Sequence, residues 1–255
     1  MSIVAAFLRS AVFEIVRFAL TVVFAVISLL TFALEPLTRY RIITTWSRLV
    51  IALARAVCGV EYRVIGREYL PTEPSIVLSK HQSAWETLAY QEILPPQVWV
   101  LKRELLRVPF FGWGLAMMSP IAIDRGSATR SLKQTLEQGK DRLAKGWWIV
   151  IFPEGTRIAP GRRGRYHLGG AWLACQTGAP VVPIAHNAGT LWRKNAFVKH
   201  PGTITVSIGP AVHPLGMTAD ALNRKVEDWI ETEVARLGKL CISPTTRVAP
   251  GADDC

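Results

Sequence analysis

The sequence predicts an α/β protein in which helices flank a mixed sheet, preceded by an N-terminal membrane-associated helical segment. Three observations predict this class. A long uncharged apolar segment precedes residue 35, short β-rich runs recur after residue 60, and helix-length segments such as 127–145 and 218–237 lie among these runs. The runs are EYRVIG, SIVLS, QVWVL, PIAID, WWIVIF, PVVPIA and TITVSI.

The apolar segment contains 17 residues, from Phe18 to Leu34, without a charge. That length is at the short end of the roughly 17–25 residues that span a bilayer, so either a span or a hairpin that never crosses fits. A cleaved signal peptide is the alternative, since Ala33 is small. However, Glu35 and Pro36 follow, and no clear A-x-A site is present.

A second stretch, from Trp46 to Val60, predicts an interfacial amphipathic helix. Its apolar residues recur at helical spacing, while Arg48 and Arg55 lie two turns apart. We therefore predict an anchor over residues 1–60, one α/β domain over 61–240 and a disordered polar tail over 241–255.

The composition favours a lipid surface as partner. The chain has 255 residues, a net charge of +11, 50% hydrophobic residues and a mean hydropathy of +0.24. No basic run is interleaved with aromatic residues, which argues against nucleic acid and leaves anionic lipids. More arginines follow the apolar segment than precede it, which indicates that the domain faces the cytoplasm. The oligomeric state is left open.

The four cysteines predict a reducing compartment and no structural metal. They are widely scattered, form no CxxC pair and have no histidines at zinc-ligand spacing. Their positions are Cys58, Cys175, Cys241 and Cys255.

The first candidate site follows the run SIVLS and contains His81 and Glu86. On one helix, five residues place two side chains roughly 140° apart, so the pair can meet only if His81 precedes the helix. Ser83 as N-cap with Glu86 three residues later satisfies this geometry. The same pattern is a capping box, so Glu86 is either a cap or a partner of His81.

The second candidate site is the turn FPEGTR after the run WWIVIF. Pro153 ends the strand, Gly155 frees the backbone, and Arg157 carries a guanidinium suited to phosphate. Arg125 and Lys102 likewise end predicted strands. Because ligands bind beyond the carboxyl ends of strands in α/β sheets, these cations and His81 are expected to converge.

The ordered blocks KHQSAWE, SPIAIDR, FPEGTR and APVVPIA carry a family resemblance. The chain resembles the glycerolipid acyltransferase superfamily, in particular the bacterial 1-acyl-sn-glycerol-3-phosphate (lysophosphatidic acid) acyltransferases. Two positions depart from the family pattern. Glu86 stands where aspartate is commoner, and Ser119 replaces the glycine that often opens the second block.

The resemblance implies acyl transfer from acyl-CoA or acyl carrier protein to the sn-2 hydroxyl of 1-acyl-glycerol-3-phosphate, giving phosphatidic acid. It implies that His81 is the base and Glu86 orients it. It also implies a bacterial inner-membrane enzyme that needs no cofactor. The implied phosphate ligands are Arg157, Arg125 and Lys102. The other implied substrate contacts are Glu154, Gly155 and Thr156, and the VVPIA strand is expected to line the acyl-carrier path.

Other functions remain open from the residues alone. Ser83, two residues after His81, suggests a hydrolase, although a G-x-S-x-G elbow is missing. His81 and Glu86 could instead be ligands in a metal-dependent hydrolase, although the zincin pair of histidines is missing. A lipid-binding protein without turnover is a third possibility. Within the enzyme class, the acceptor could be a lyso-ornithine lipid or lysophosphatidylglycerol.

Overall fold

A seven-stranded mixed sheet forms the centre of the protein, as the sequence predicts. The computed structural model describes residues 3–124, 126 and 128–242. The strand order is β1-β7-β6-β2-β5-β3-β4, and every neighbouring pair is parallel except β6 with β7. The strands are β1 (Val60–Ile65), β2 (Ile76–Ser79), β3 (Gln97–Lys102), β4 (Ile121–Ile123), β5 (Trp148–Ile151), β6 (Val181–His186) and β7 (Gly202–Ile208).

Helices cover both faces of the sheet. Helices α1, α2 and α3 pack on one face, and α5, α6 and α8 pack on the other. The described helices are α1 (Ile3–Leu30), α2 (Pro36–Leu53), α3 (Trp85–Ile93), α4 (Phe111–Met117), α5 (Ala128–Ala144), α6 (Gly169–Thr177), α7 (Ala188–Leu191) and α8 (Ala219–Ile242).

The burial of the central strands explains why their sequences are continuous apolar runs. In β2, Ile76 and Leu78 pack towards α6 and α8, whereas Val77 packs towards α3. All three are fully buried, because a parallel strand between two helical layers has no solvent face. The carboxyl ends of β6, β2, β5, β3 and β4 therefore meet at one edge of the sheet.

The N-terminal helix is longer than the predicted apolar segment. It begins at Ile3, and it is long and apolar enough to cross a membrane. It also carries Glu14 and Arg17, which form an ion pair with each other. Glu14 pairs in addition with buried Lys199, whose ammonium lies 5.4–5.7 Å from the centres of three aromatic rings. These contacts fix the first half of α1 against the sheet domain.

Helix α2 also differs from its predicted bounds. It begins at Pro36, ten residues before the predicted start, and it continues as a π-helical turn over Ala54–Cys58. Gly59, with φ of 68°, ends this turn and leads into β1. Proline suits a first helical turn because its missing N–H has no intrahelical acceptor there.

Ser119 occupies a backbone conformation that explains why glycine is common at this position in the family pattern. Its φ is 54°, in the left-handed region where glycine carries no steric penalty. Arg142 Nε donates to the Ser119 carbonyl at 2.9 Å, and Arg39 Nη2 donates to its hydroxyl at 3.3 Å. Two arginines thus hold the turn before β4.

The last helix, together with its cap, covers the predicted segment 218–237 and packs on the sheet. The Thr218 hydroxyl accepts from the Ala221 N–H at 3.2 Å and caps the helix, while Leu222, Val226 and Ile230 are fully buried. The helix continues to Ile242, two residues beyond the predicted domain end. The remainder of the predicted tail lies outside the described residues.

Candidate active site

His81 and Glu86 form a hydrogen-bonded pair directly after β2. His81 Nδ1 lies 2.9 Å from Glu86 Oε1. The imidazole stacks on the Phe152 ring at a centroid distance of 3.9 Å and an interplanar angle of 11°. The imidazole is therefore held on one edge by a carboxylate and on one face by a ring. Its Nε2 makes no hydrogen bond to any residue that the structure describes.

The same oxygen of Glu86 also supports the start of α3. Glu86 Oε1 accepts from the backbone N–H groups of Gln82 and Ser83 at 2.8 and 2.7 Å. The N-cap residue is Ala84, not Ser83, and the Ser83 hydroxyl accepts from the Trp85 N–H at 3.1 Å. The two roles that the sequence left as alternatives therefore coexist on one atom.

The environment of Glu86 favours its ionised form. Burial opposes ionisation, but His186, the hydrogen bond from His81 and the Ser83 N–H together outweigh it, so the pKa of Glu86 is lowered. An ionised carboxylate can only accept, so His81 Nδ1 carries the proton. In the neutral imidazole Nε2 then carries the lone pair, as a general base requires.

A second histidine, which the sequence analysis missed, lies beside this pair. His186 ends β6, is fully buried and places Nε2 at 3.9 Å from Glu86 Oε1. The Lys80 carbonyl accepts from Nε2 at 2.8 Å, and Nδ1 accepts from the Ala188 N–H at 3.2 Å. Burial lowers the pKa of His186, in agreement with this neutral arrangement. Its position directly after the VVPIA block was the available signal.

The FPEGTR turn lies against the His81 loop. Gly155 has a φ of 66°, which reverses the chain after Pro153. The N–H of Ile158 then donates to the His81 carbonyl at 2.7 Å. The turn consequently brings Thr156 and Arg157 to the same side as the imidazole.

Glu154 occupies a different place from the predicted one. Its side chain is buried, Oε1 lies 2.7 Å from Lys80 Nζ, and Oε2 accepts from the His81 N–H at 3.0 Å. It does not line the cavity beside His81, so this geometry does not support the predicted contact of Glu154 with the substrate, which stays a prediction. A carboxylate that faces a buried ammonium supports the loop rather than binding an anionic headgroup.

A cavity of about 480 Å³ opens beside His81. Around His81 it is lined by Gly155, Thr156, Arg157 and Lys102. Away from His81 its walls are mainly apolar and belong to α1, α2, α3 and α4. These walls include Phe24, Ala25, Ile43, Leu88 and Leu115. A polar, basic end and an apolar remainder suit an amphiphile.

The cations at the cavity differ in part from the predicted set. Within the described part of the chain, neither Arg157 nor Lys102 forms an ion pair, so both are available to an anion. Arg125 lies outside the described residues. Lys194, which the sequence analysis missed, lines the cavity and donates to the Arg157 carbonyl at 3.2 Å. Nothing in its local sequence set it apart from other exposed lysines.

Two further expectations are tested by this geometry. Strand β6, which carries VVPIA, is buried throughout and does not line the cavity, so its predicted place on the acyl-carrier path finds no support in this geometry and stays a prediction. The Ser83 hydroxyl is also buried and bonded to the backbone of α3, away from the cavity. This position disfavours a serine nucleophile.

The geometry also bears on the metal-hydrolase alternative. His81 Nδ1 and Glu86 Oε1 bond to each other and to backbone N–H groups, so these atoms are engaged. Residues 3–124, 126 and 128–242 contain no cluster of three or more potential metal ligands. The independence from cofactors stays a prediction.

Known proteins are similar to this chain in sequence and in fold. The model of the acyltransferase family matches residues 61–187. A 1-acyl-sn-glycerol-3-phosphate acyltransferase from Pseudomonas aeruginosa is 47% identical over 83% of this chain and 85% of its own length. A protein of the same name from Saccharomyces cerevisiae is 29% identical over 73% of this chain and 63% of its own.

The fold matches the crystal structure of the 1-acyl-sn-glycerophosphate (LPA) acyltransferase PlsC from Thermotoga maritima. The TM-score is 0.79 at 21% identity, over 96% of this chain and 100% of the other. At this identity the likeness establishes the fold. The match to the family model and the sequence match to the Pseudomonas protein show that the chain belongs to the acyltransferase family. It is thus an enzyme of acyl transfer, with an acyl donor and a lipid as substrates.

Proposed function

We propose that this enzyme moves an acyl group from a thioester carrier to the sn-2 hydroxyl of 1-acyl-glycerol-3-phosphate, giving phosphatidic acid. One observation carries the proposal. An imidazole paired through Nδ1 with a buried carboxylate lines a cavity that is basic beside the imidazole and apolar beyond it. The Pseudomonas and yeast relatives are both named 1-acyl-sn-glycerol-3-phosphate acyltransferase, which supports the same substrate.

In the proposed mechanism His81 is the general base. An alcohol is a weak nucleophile at neutral pH, so Nε2 removes its proton as the oxygen attacks the thioester carbonyl. The tetrahedral intermediate then breaks its carbon–sulfur bond, and the leaving thiolate takes the proton back from Nε2. The carboxylate of Glu86 stabilises the transient imidazolium and keeps the ring in one tautomer.

The basic end of the cavity is proposed to bind the acceptor phosphate. Arg157 offers a planar fork that matches phosphate oxygens in pairs, while Lys102 and Lys194 add positive charge. Three cations around one site favour a phosphate monoester over the diester of lysophosphatidylglycerol. They also disfavour a lyso-ornithine lipid, which has no phosphate.

The apolar part of the cavity is proposed to hold the acyl chain of the donor. A lyso-lipid can leave its own chain in the bilayer while its headgroup reacts. A chain carried by a soluble thioester would otherwise lie in water, at a cost of about 0.8 kcal/mol per methylene. Coenzyme A and acyl carrier protein are both compatible with a carrier that stays outside the cavity.

The enzyme is proposed to work on the cytoplasmic side of a bacterial inner membrane. Helix α1 exposes many large apolar side chains, and α4, which packs against it, exposes Phe111 and Trp113. These residues form one apolar surface beside the cavity. The basic residues that follow α1 support the cytoplasmic orientation.

Replacing exposed residues of α1 tests the membrane surface without opening the core. Ile15 and Phe18 lie one turn apart and are 70% and 63% exposed. Ile15→Ser with Phe18→Ser is expected to weaken binding to anionic lipid vesicles at least tenfold, since burying each side chain contributes about 1.5–3 kcal/mol. Sedimentation with vesicles measures the effect. Leu215→Ser is the control, because Leu215 is 94% exposed on a loop after β7, and equal losses would contradict the assignment.

Substituting Arg157 tests the proposed phosphate site. Arg157→Lys keeps one charge but removes paired donation, so the KM for lysophosphatidic acid should rise about tenfold, the equivalent of roughly 1.4 kcal/mol. Steady-state assays with purified protein and labelled acyl-CoA measure this change. Arg193→Lys, at an exposed position beside Lys194, provides the control.

The acceptor panel decides between substrates. Arg157→Lys should affect the KM for lysophosphatidic acid strongly and the KM for monoacylglycerol, which has no phosphate, little. Equal effects on both acceptors would show that Arg157 maintains the turn rather than binding phosphate. Wild-type preference for lysophosphatidylglycerol over lysophosphatidic acid would overturn the proposed substrate.

A further inference from the structure

Lys80 is a fully buried lysine directly before His81. Its ammonium lies 2.7 Å from Glu154 Oε1 and 2.7 Å from Glu231 Oε1, and it also donates to the Arg162 carbonyl at 3.3 Å. Glu231 belongs to α8, the last described helix. The Tyr166 hydroxyl donates to the same Glu231 oxygen at 2.8 Å. Three distant segments of chain therefore meet at one ammonium: the segment of Lys80 itself, residues 154–162 and α8.

The network reaches the catalytic loop through Glu154. One oxygen of this carboxylate faces the ammonium, and the other accepts from the His81 N–H at 3.0 Å. The position of Glu154 is thus set by Lys80 on one side and sets the His81 backbone on the other. The His81 imidazole has little freedom of its own, since Glu86 and Phe152 hold it.

A buried ammonium must be paired, because an unpaired charge in an apolar interior is strongly unfavourable. Glu154 alone would neutralise Lys80, yet a second carboxylate is recruited from α8. Buried ion pairs seldom add stability over apolar packing, so stability alone is a weak reason for this arrangement. Its precise geometry beside the reacting histidine points to positioning, since a misplacement of about 1 Å can lower a rate 100-fold.

We propose that Lys80 and Glu231 are positioning residues for His81, and that α8 is thereby part of the support of the active site. Lys80 holds Glu154 against the His81 N–H, and Glu231 holds Lys80 in that place from the opposite side. Neither residue touches the substrate, because neither lines the cavity. The inference rests on the proposed role of His81 as general base.

Two substitutions in α8 test the inference in the full-length purified enzyme. Glu231→Gln keeps the shape but removes the charge that faces Lys80, and kcat is expected to fall about 10- to 100-fold with the KM for both substrates within twofold. Glu227→Gln is the matched control. Glu227 lies one turn earlier on the same helix and pairs with the exposed Arg163 at 2.8 Å. Its kcat should stay within about twofold of wild type.

Melting temperatures separate positioning from folding. Lys80→Met is expected to reduce kcat further than Glu231→Gln, and the double variant should be little worse than Lys80→Met, since both act through one contact. A Glu231→Gln enzyme with the kcat of Glu227→Gln would overturn the inference. A parallel change of kcat, KM and Tm would also overturn it, because that pattern indicates general destabilisation.

The His81→Ala enzyme distinguishes failure of this inference from failure of the proposed mechanism. If His81→Ala is inactive while Glu231→Gln is normal, His81 keeps its role and only the positioning network is rejected. If His81→Ala retains near-normal kcat, the base assignment itself is wrong, and the inference falls with it.

Discussion

Glu86→Gln is expected to lower kcat by about 10²–10⁴, the range that general-base assistance contributes. The glutamine oxygen can still accept from the Gln82 and Ser83 N–H groups, but the amide cannot stabilise an imidazolium on His81. Because Glu86 Oε2 is buried without a hydrogen-bond partner among the residues that the structure describes, an amide nitrogen at this position would also be unsatisfied. A stability loss of about 1–3 kcal/mol should therefore accompany the loss of rate.

Controls separate the two roles of Glu86. His81→Ala should reduce kcat at least as far, and the double variant should be little worse, because residues that act as one unit are non-additive. Ser83→Ala removes a hydroxyl that supports the start of α3 alone, so it should cost about 1 kcal/mol of stability and leave kcat near wild type. Near-normal kcat in a folded Glu86→Gln enzyme would remove Glu86 from the mechanism. An inactive, folded Ser83→Ala enzyme would restore the serine-nucleophile alternative.

All seven strands could be predicted from the sequence because their signal is local. Strand β2 lies between two helical layers, so its four residues are all buried and form a continuous apolar run. The same holds for β5, where Trp148 to Ile151 are buried. Helix bounds were harder to predict. Glu14 and Arg17 interrupt the apolar pattern of α1, and the partner of Glu14, Lys199, lies 185 residues away.

In the candidate site, too, contacts between residues close in sequence could be predicted, whereas contacts between distant residues could not. The His81–Glu86 pair spans five residues, so helix geometry alone could test whether the two side chains meet. The partners of Lys80 lie 74 and 151 residues away, at Glu154 and Glu231, and no local pattern relates them. From its motif, Glu154 was consequently predicted to contact the substrate. In the structure it is buried and forms a long-range ion pair with Lys80.

The cavity could not be predicted because part of its apolar wall belongs to the segment treated as an anchor. The sequence separates residues 1–60 from the α/β domain by composition. The structure places Phe24 and Ala25 of α1 and Ile43 of α2 around the space that begins at His81. Residues that resemble a membrane anchor in composition therefore also line the proposed substrate cavity.

Narrowing the cavity at this wall is expected to change the preferred length of the donor acyl chain. Ala25→Leu adds about three carbon atoms at a buried position that lines the cavity. If these displace about three methylenes of a long donor chain, at ~0.8 kcal/mol each, kcat/KM for that donor falls roughly 50-fold. A donor too short to reach Ala25 should react as it does with the wild type.

A series of acyl-CoA donors, from short to long, measures the change at constant lysophosphatidic acid. Ala19→Leu is the matched control, because Ala19 lies on the exposed side of α1 and the same carbon atoms are added outside the cavity. The donor profile of Ala25→Leu should shift to shorter chains, while that of Ala19→Leu should stay unchanged. A shift that follows the chain length of the lysophosphatidic acid instead would place the acceptor chain in the cavity. A uniform loss for all donors, with a lower Tm, would indicate overpacking of α1 against α4 rather than a chain-binding wall.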